Sequence, residues 1–157
     1  MVFKTEREKL EKTFEIRIND QQIDKVIYTK FLGLYIDNEL SWRKHIVEIS
    51  TKISKRTGIM AKPTHVLSIQ RLKTIYNTMV YPYLTYCSII WTSTYPTRLK
   101  PISTIQKKLV LIMTFSKYQD KPKPLFQSLK ILDIHELNMY LALFLFSYLS
   151  NISAIIF

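Results

Sequence analysis

The chain has 157 residues, a formal net charge of +11 and a hydrophobic content of 47%, with ten tyrosines and eight phenylalanines. This length and apolar content suffice for one ordinary domain with a buried core, and they exclude wholesale disorder. The single cysteine, Cys87, excludes an internal disulfide. Together with an N-terminus that lacks a signal-peptide pattern, it predicts a reducing intracellular location, in the nucleus or the cytoplasm.

The charge is unevenly distributed along the chain. Residues 1–60 hold 12 Lys and Arg against 9 Asp and Glu, whereas residues 61–157 hold 11 against only 3. Few acidic neighbours are therefore available to neutralise the second part. Such a positive field attracts polyanions, nucleic acid first and anionic membrane surfaces second.

The first 37 residues show the pattern of β structure. Phe14, Ile16 and Ile18 alternate with polar residues, which is the period of a half-buried strand. We expect a turn over residues 19–22, a return strand over residues 23–27 and a third strand in the run YTKFLGLYID, residues 28–37.

From Ser41 onward the hydrophobic period becomes helical. Ile46, Ile49 and Ile53 predict the buried face of a first helix, with Ser41 as its N-cap and Gly58 at its end.

Two further helices are predicted before residue 117. One runs from about residue 68 to residue 81, where Pro82 ends it, and its inward residues are expected to be Ile69, Leu72, Ile75, Tyr76 and Met79. The next begins near Pro101, because proline suits a first helical turn. We expect it to bury Ile102, Ile105, Leu109 and Ile112, and to expose Gln106, Lys107 and Lys108.

The C-terminal part begins with a basic, proline-containing stretch, residues 117–126, which we expect to be a connection. Asp133 and Glu136 have the spacing of a capping box and predict the start of a strongly apolar helix. Residues 137–157 are long enough to span a bilayer, so a small basic tail-anchored membrane protein is an alternative interpretation. Against a membrane partner, Ser150 and Asn151 would be costly in lipid.

Catalytic signatures are missing from the sequence. A nucleotide polymerase needs carboxylates that converge on two metal ions, commonly an adjacent Asp-Asp pair, and the chain has no such dipeptide. His45, His65 and His135 show no metal-ligand spacing, and glycine at positions 33 and 58 alone excludes a phosphate-binding glycine loop. We expect neither catalysis nor a cofactor from this chain alone.

The segment KFLGLYIDNELSWRKHI, residues 30–46, resembles the region of jockey-like non-LTR retrotransposon reverse transcriptases in which the last palm strands pass into the thumb. The segments HIVEISTKISKRTGIMAK, LKTIYNTMVYPYLTYCSIIW, ISTIQKKLVLIMT and PLFQSLKILDIHEL follow in the order of that family. The resemblance implies an α+β fold, mostly α, with N-terminal antiparallel palm strands and a helical thumb-like bundle. It divides the chain into a palm remnant (residues 1–38), a basic thumb (39–116), and a proline-containing connection with an apolar C-terminal helix (117–157).

The resemblance also implies roles for individual residues. Phe31, Leu32 and Gly33 correspond to the primer grip, a turn that lies against the primer strand. The residue pattern alone favours a buried strand with a packing glycine at these positions. Contacts to the nucleic-acid backbone are expected from Lys30, Arg43, Lys44, Lys52, Lys55, Arg56, Lys107 and Lys108.

The expected partners are an RNA–DNA or DNA duplex and the fingers and palm portion of the polymerase. The parent enzymes, RNA-directed DNA polymerases, use Mg²⁺ on an Asp-Asp hairpin that would precede Met1. A non-functional remnant of a decayed element is a further alternative.

Overall fold

The computed structural model describes residue 3 and residues 17–18, 21–22, 24, 26–117 and 120–156. The chain divides into two compact units, Met1–Val47 and Glu48–Phe157. The described strands lie in the first unit, and helices make up most of the described residues of the second. The predicted fold class, α+β and mostly α with N-terminal antiparallel strands, is confirmed.

The strands of the first unit form two hairpins. Strand β1 (Arg17–Ile18) pairs antiparallel with β2 (Gln21–Gln22), and β3 (Tyr28–Phe31) pairs antiparallel with β4 (Leu34–Asp37). The prediction of one strand over residues 28–37 was therefore wrong, because the chain reverses within it.

The prediction was also wrong at residues 21–22, which pair as a strand where we expected a turn. Of the expected return strand, residues 24, 26 and 27 are not in a strand, and residues 23 and 25 lie outside the described residues. Phe14 and Ile16 of the first predicted strand also lie outside them.

Helix α1 (Arg43–Ala61) buries the predicted face. Ile46, Ile49 and Ile53 are all at most 5% exposed. The helix continues past Gly58, so the predicted stop was wrong. The next turn still buries Met60 completely, and this packing overrides the weak helix propensity of one glycine.

The chain then forms a 3₁₀ turn (Lys62–His65) and three helices, α2 (Ile69–Met79), α3 (Tyr81–Thr85) and α4 (Ser88–Trp91). As predicted, α2 ends just before Pro82 and buries Leu72 and Tyr76. Ile69 is 44% exposed, so its inward assignment was wrong: it is the first residue of the helix and precedes the part that packs.

Helix α5 (Pro96–Thr114) begins five residues before the predicted start, because Pro96 and not Pro101 occupies its first turn. Ile102 and Leu109 are buried as predicted. Gln106 is 0% exposed, so its assignment to the exposed face was wrong, whereas Lys107 and Lys108 are exposed as predicted.

The basic stretch before residue 126 is not a simple connection, because Pro122 opens helix α6 (Pro122–Leu129). Proline is tolerated in a first helical turn, where its missing N–H would have no intrahelical partner. Helix α6 packs against α5, and its residues Phe126 and Leu129 are buried.

The last helix, α7 (Ile134–Ile156), begins with the predicted capping box. The Asp133 carboxylate accepts from the amides of His135 (2.8 Å) and Glu136 (2.9 Å), and the Glu136 carboxylate accepts from the Asp133 amide (3.2 Å). Leu137 is buried and Leu141 is half-buried. In contrast, eight large apolar side chains of α7 are exposed: Met139, Tyr140, Leu143, Phe144, Leu145, Phe146, Tyr148 and Leu149. In the described part of the chain, no helix combines the length and the apolar character needed to cross a membrane.

Candidate nucleic-acid interface

The β3–β4 hairpin presents an apolar tip. Its turn is formed by Leu32 (φ 46°) and Gly33 (φ 83°), both left-handed. A two-residue turn with two positive φ angles matches the twist of the flanking strands, and it usually carries Asn-Gly. Here Leu32 is 71% exposed and Phe31 beside it is 61% exposed, so the expected buried strand is replaced by a projecting apolar turn.

One face of this hairpin holds two lysines over two tyrosines. Lys30 is the cross-strand partner of Tyr35, and its Nζ lies 5.6 Å from the centre of that ring. Lys44, in the first turn of α1, lies 5.6 Å from the ring centre of Tyr28 and 5.9 Å from that of Tyr35. Cation–π contacts hold both ammonium groups at the hairpin surface while Lys30 and Lys44 stay exposed. Lys30 in the hairpin and Lys44 in α1 are thus brought together because both contact the ring of Tyr35.

Asp37, the last residue of β4, joins the hairpin to α1. Its carboxylate accepts from the amides of Ser41 (2.8 Å), Trp42 (2.9 Å) and Glu39 (3.2 Å), and from the Ser41 hydroxyl (3.2 Å). The predicted N-cap, Ser41, also accepts from the amide of Arg43 at 3.4 Å. These three amides belong to the segment between β4 and α1, so the carboxylate holds the connection from the hairpin to the helix.

Further along α1, three of the predicted phosphate ligands have different surroundings. Lys52 and Lys55 are exposed. Arg56 is half-buried and its guanidinium stacks over Tyr83 of α3, 4.2 Å from the ring centre, while it also donates to the Tyr83 hydroxyl. A second Arg56 nitrogen donates to the carbonyl of Lys52 at 2.9 Å. Arg56 therefore links α1 to α3 in addition to carrying charge.

The remaining predicted ligands lie on different sides of α5. Lys107 lines a groove between α5, α6 and α7. Lys108 lines a smaller cavity between α1 and α5, together with Gly58 and Ala61. Neighbouring positions on a helix point about 100° apart, so these two lysines cannot contact the same phosphate strand in the same way. Arg43, at the start of α1, is exposed.

A buried polar pair lies under α5. The Gln106 side-chain nitrogen donates to the Tyr76 hydroxyl at 3.1 Å and lies 3.4 Å from the carbonyl of Leu132. Burial raises the pKa of Tyr76 to about 12; the hydrogen bond from Gln106 opposes this shift. This pair connects α2, α5 and the segment before α7, and it has no access to a ligand.

Several of these residues were not singled out by sequence reasoning. Tyr28 and Tyr35 were read only as strand residues, although Lys30 opposite Tyr35 becomes a visible signal once the hairpin register is known. Asp37 appeared only as the last residue of the strand predicted over residues 28–37. Among the described residues, no three His, Cys, Asp or Glu side chains come together in a group that could hold a metal ion.

Comparison with known proteins gives one informative similarity. Over 111 residues, 68% of this chain, the sequence is 26% identical to a protein of Drosophila melanogaster named probable RNA-directed DNA polymerase from transposon X-element. The chain spans only 12% of the length of that relative. No family model matches the chain, and no solved structure matches it. The chain is therefore similar to a part of a transposon polymerase, which agrees with the reverse-transcriptase resemblance at that coarse level.

Proposed function

We propose that this chain is the primer- and duplex-binding part, last palm strands plus thumb, of a non-LTR retrotransposon reverse transcriptase, and that it binds RNA–DNA or DNA duplex without catalysing synthesis. The similarity to a transposon RNA-directed DNA polymerase supports the origin. The parent reaction, Mg²⁺-dependent and templated by RNA, would need an adjacent Asp-Asp pair, and this sequence contains none.

The observation that carries the proposal is the hairpin tip. The exposed, left-handed Leu32 is unfavourable for two reasons. Its backbone conformation is adopted more easily by Asn or Gly, and its apolar side chain is exposed to water, where a polar side chain would be more stable. Backbone strain of this kind often marks a functional site. An apolar tip beside the tyrosine-held ammonium groups of Lys30 and Lys44 suits the sugar and phosphate of a primer end.

The first experiment measures binding of a labelled RNA–DNA hybrid at two salt concentrations. If about four phosphates are neutralised, the affinity should fall about a hundredfold between 50 and 200 mM NaCl, and unrelated sequences should bind equally well. Lys55→Gln should reduce the slope of log affinity against log salt concentration by about 1, the value expected for the loss of one phosphate contact. Affinity that is independent of salt would contradict the proposal, and a purified chain that extends a primer would contradict the absence of catalysis.

The second experiment separates binding from stability at the tip. Leu32→Asn should stabilise the fold, because Asn tolerates the left-handed region, yet weaken hybrid binding about fivefold, since an apolar contact worth about 1 kcal/mol is lost. Leu40→Asn is the matched control, because Leu40 is also exposed and left-handed (φ 52°) but lies outside the tip. It should stabilise the fold and leave binding unchanged. Equal binding by both variants would remove the tip from the interface.

A further inference from the structure

The groove between α5, α6 and α7 is a second feature that duplex binding does not explain. It encloses about 730 Å³, within the range of protein binding clefts. Its floor is formed by Phe126 and Ile131, which are almost fully buried. Its α7 wall is formed by Met139, Tyr140 and Leu143, each more than half exposed.

The apolar wall continues beyond the groove. Met139, Leu143 and Phe146 have the helical i, i+4, i+7 spacing of one face, and Tyr140 lies beside Met139 at i+1. Phe146 extends this stripe beyond the groove with 73% exposure. From Met139 to Phe146 the stripe is about 10 Å long, two turns of helix. An elongated occupant covers such a stripe, whereas a compact small molecule would leave Phe146 in water.

The rim of the groove is positively charged. Lys107, Lys123 and Lys130 line it and are exposed, and in the described part of the chain none of them forms an ion pair. The two acidic residues that also line it, Asp133 and Glu136, are both engaged by backbone amides of the capping box. An occupant that complements this rim therefore carries carboxylates.

We propose that this groove binds an acidic amphipathic helix of a protein partner, with apolar side chains on the α7 stripe and carboxylates toward the three lysines. This is the recognition mode in which a helix lays its apolar face into a hydrophobic groove. A second copy of this chain does not supply that chemistry through α7, since no Asp or Glu follows Glu136. The inference does not depend on the proposed function.

The test uses the full chain and a dye-labelled synthetic peptide of about 16 residues, capped at both ends so that it forms a helix. The peptide carries Leu at i, i+3, i+4 and i+7 spacing with Glu on the flanks, and its partner peptide has Lys in place of every Glu. Fluorescence anisotropy should show binding of the Glu peptide and at least about tenfold weaker binding of the Lys peptide. Equal binding of both peptides, or of neither, overturns the proposal.

Variants of the groove then locate the peptide. The double variant Lys123→Glu with Lys130→Glu should weaken binding at least about tenfold. Its control, Lys62→Glu with Lys100→Glu, makes the same change of net charge at exposed lysines outside the groove and should leave binding unchanged. Leu143→Ser should also weaken binding, whereas Leu145→Ser, about 160° around α7 from Leu143, should not.

Two other occupants are distinguishable in the same samples. If the chain forms a dimer that Leu143→Ser abolishes, a second copy fills the groove and the proposal fails. If an RNA–DNA hybrid displaces the peptide, and the groove double variant loses hybrid affinity while its control does not, nucleic acid fills the groove and the proposal also fails. Unchanged urea midpoints would show that the variants remain folded.

Discussion

The carboxylate of Asp37 lies 2.9 Å from the backbone amide of Trp42 and so ties the end of β4 to the residue that precedes α1. Trp42 itself is left-handed (φ 61°) and only 7% exposed, so the chain holds an unfavourable backbone conformation at this junction. Asp37→Asn should lower the free energy of unfolding by about 2 kcal/mol. The new amide group places a donor against backbone donors, and hydrogen bonds to a charged acceptor are the stronger kind. Urea denaturation measures this loss.

The matched control for Asp37 is Asp24→Asn, which makes the same chemical change at an exposed aspartate. Its unfolding midpoint should remain within the error of the unchanged protein. If both variants lose the same stability, the effect of Asp37→Asn reports on net charge and not on the junction.

The stacking of Arg56 on Tyr83 predicts that the contribution of this side chain to stability can be measured apart from its positive charge. Arg56→Lys keeps the positive charge but loses the planar guanidinium that both stacks and donates to the Tyr83 hydroxyl. We expect a loss of about 1 kcal/mol in unfolding free energy and no change in the salt dependence of duplex binding. Lys55→Arg, at an exposed position one residue away, should change neither quantity.

A double-mutant cycle with Tyr83→Phe then tests the pair directly. Tyr83→Phe keeps the aromatic ring but removes the hydroxyl. The stacking of Arg56 on the ring is therefore retained, whereas the hydrogen bond from Arg56 to the hydroxyl is lost. Strict additivity of Arg56→Lys and Tyr83→Phe would mean that the two side chains do not stabilise each other.

How far the fold could be predicted from the sequence differs between elements. The face of α1 was predictable because Ile46, Ile49 and Ile53 offer a single helical stripe. In α5 two stripes compete. Ile105 and Ile112 suggested one helix face as the buried one, whereas the face that is buried contains Gln106. Because Gln106 is polar, a search for hydrophobic periodicity does not assign it to the core.

The hairpin shows a different limit. A glycine inside an apolar run indicated a packing glycine in a strand, because the usual Asn-Gly signal of a tight turn is replaced by Leu32-Gly33. The candidate site was likewise only partly predictable from local sequence signals. Its individual lysines were predictable from charge, but the tyrosines that hold Lys30 and Lys44 depend on the hairpin register, which short-range patterns could not supply.

The chain has only two glycines, and the structure predicts opposite effects when each becomes alanine. Gly58→Ala should raise the free energy of unfolding by about 0.5–1 kcal/mol, because a Cβ built at this position in the helix meets nothing within 4 Å. Gly33→Ala should lower stability by about 1–2 kcal/mol, since φ is 83° there. Thermal or urea unfolding of the two variants measures both, and a destabilised Gly58→Ala variant would mean that α1 ends at that residue in solution.

The buried hydroxyl of Tyr76 predicts a dependence of stability on alkaline pH. Burial raises its pKa from 10.0 to about 12, so the unfolded chain loses this proton first as the pH rises. The stabilisation is fully present below pH 10 and is lost progressively toward pH 12, at a total cost of about 2–3 kcal/mol. Urea denaturation at about pH 9 and about pH 11.5 should show most of this loss in the unchanged protein.

Tyr76→Phe removes the Tyr76 hydroxyl, so it distinguishes the titration of this group from that of every other group. The variant should be about 1 kcal/mol less stable at pH 8, because the Gln106 side chain loses its 3.1 Å partner, but its stability should fall less steeply between pH 10 and 12. Tyr95→Phe, at a tyrosine that is 65% exposed, should retain the full slope of the unchanged protein. If Tyr76→Phe and Tyr95→Phe lose stability in parallel over that range, the alkaline transition belongs to other groups and the Tyr76 hydroxyl is not buried in the folded chain.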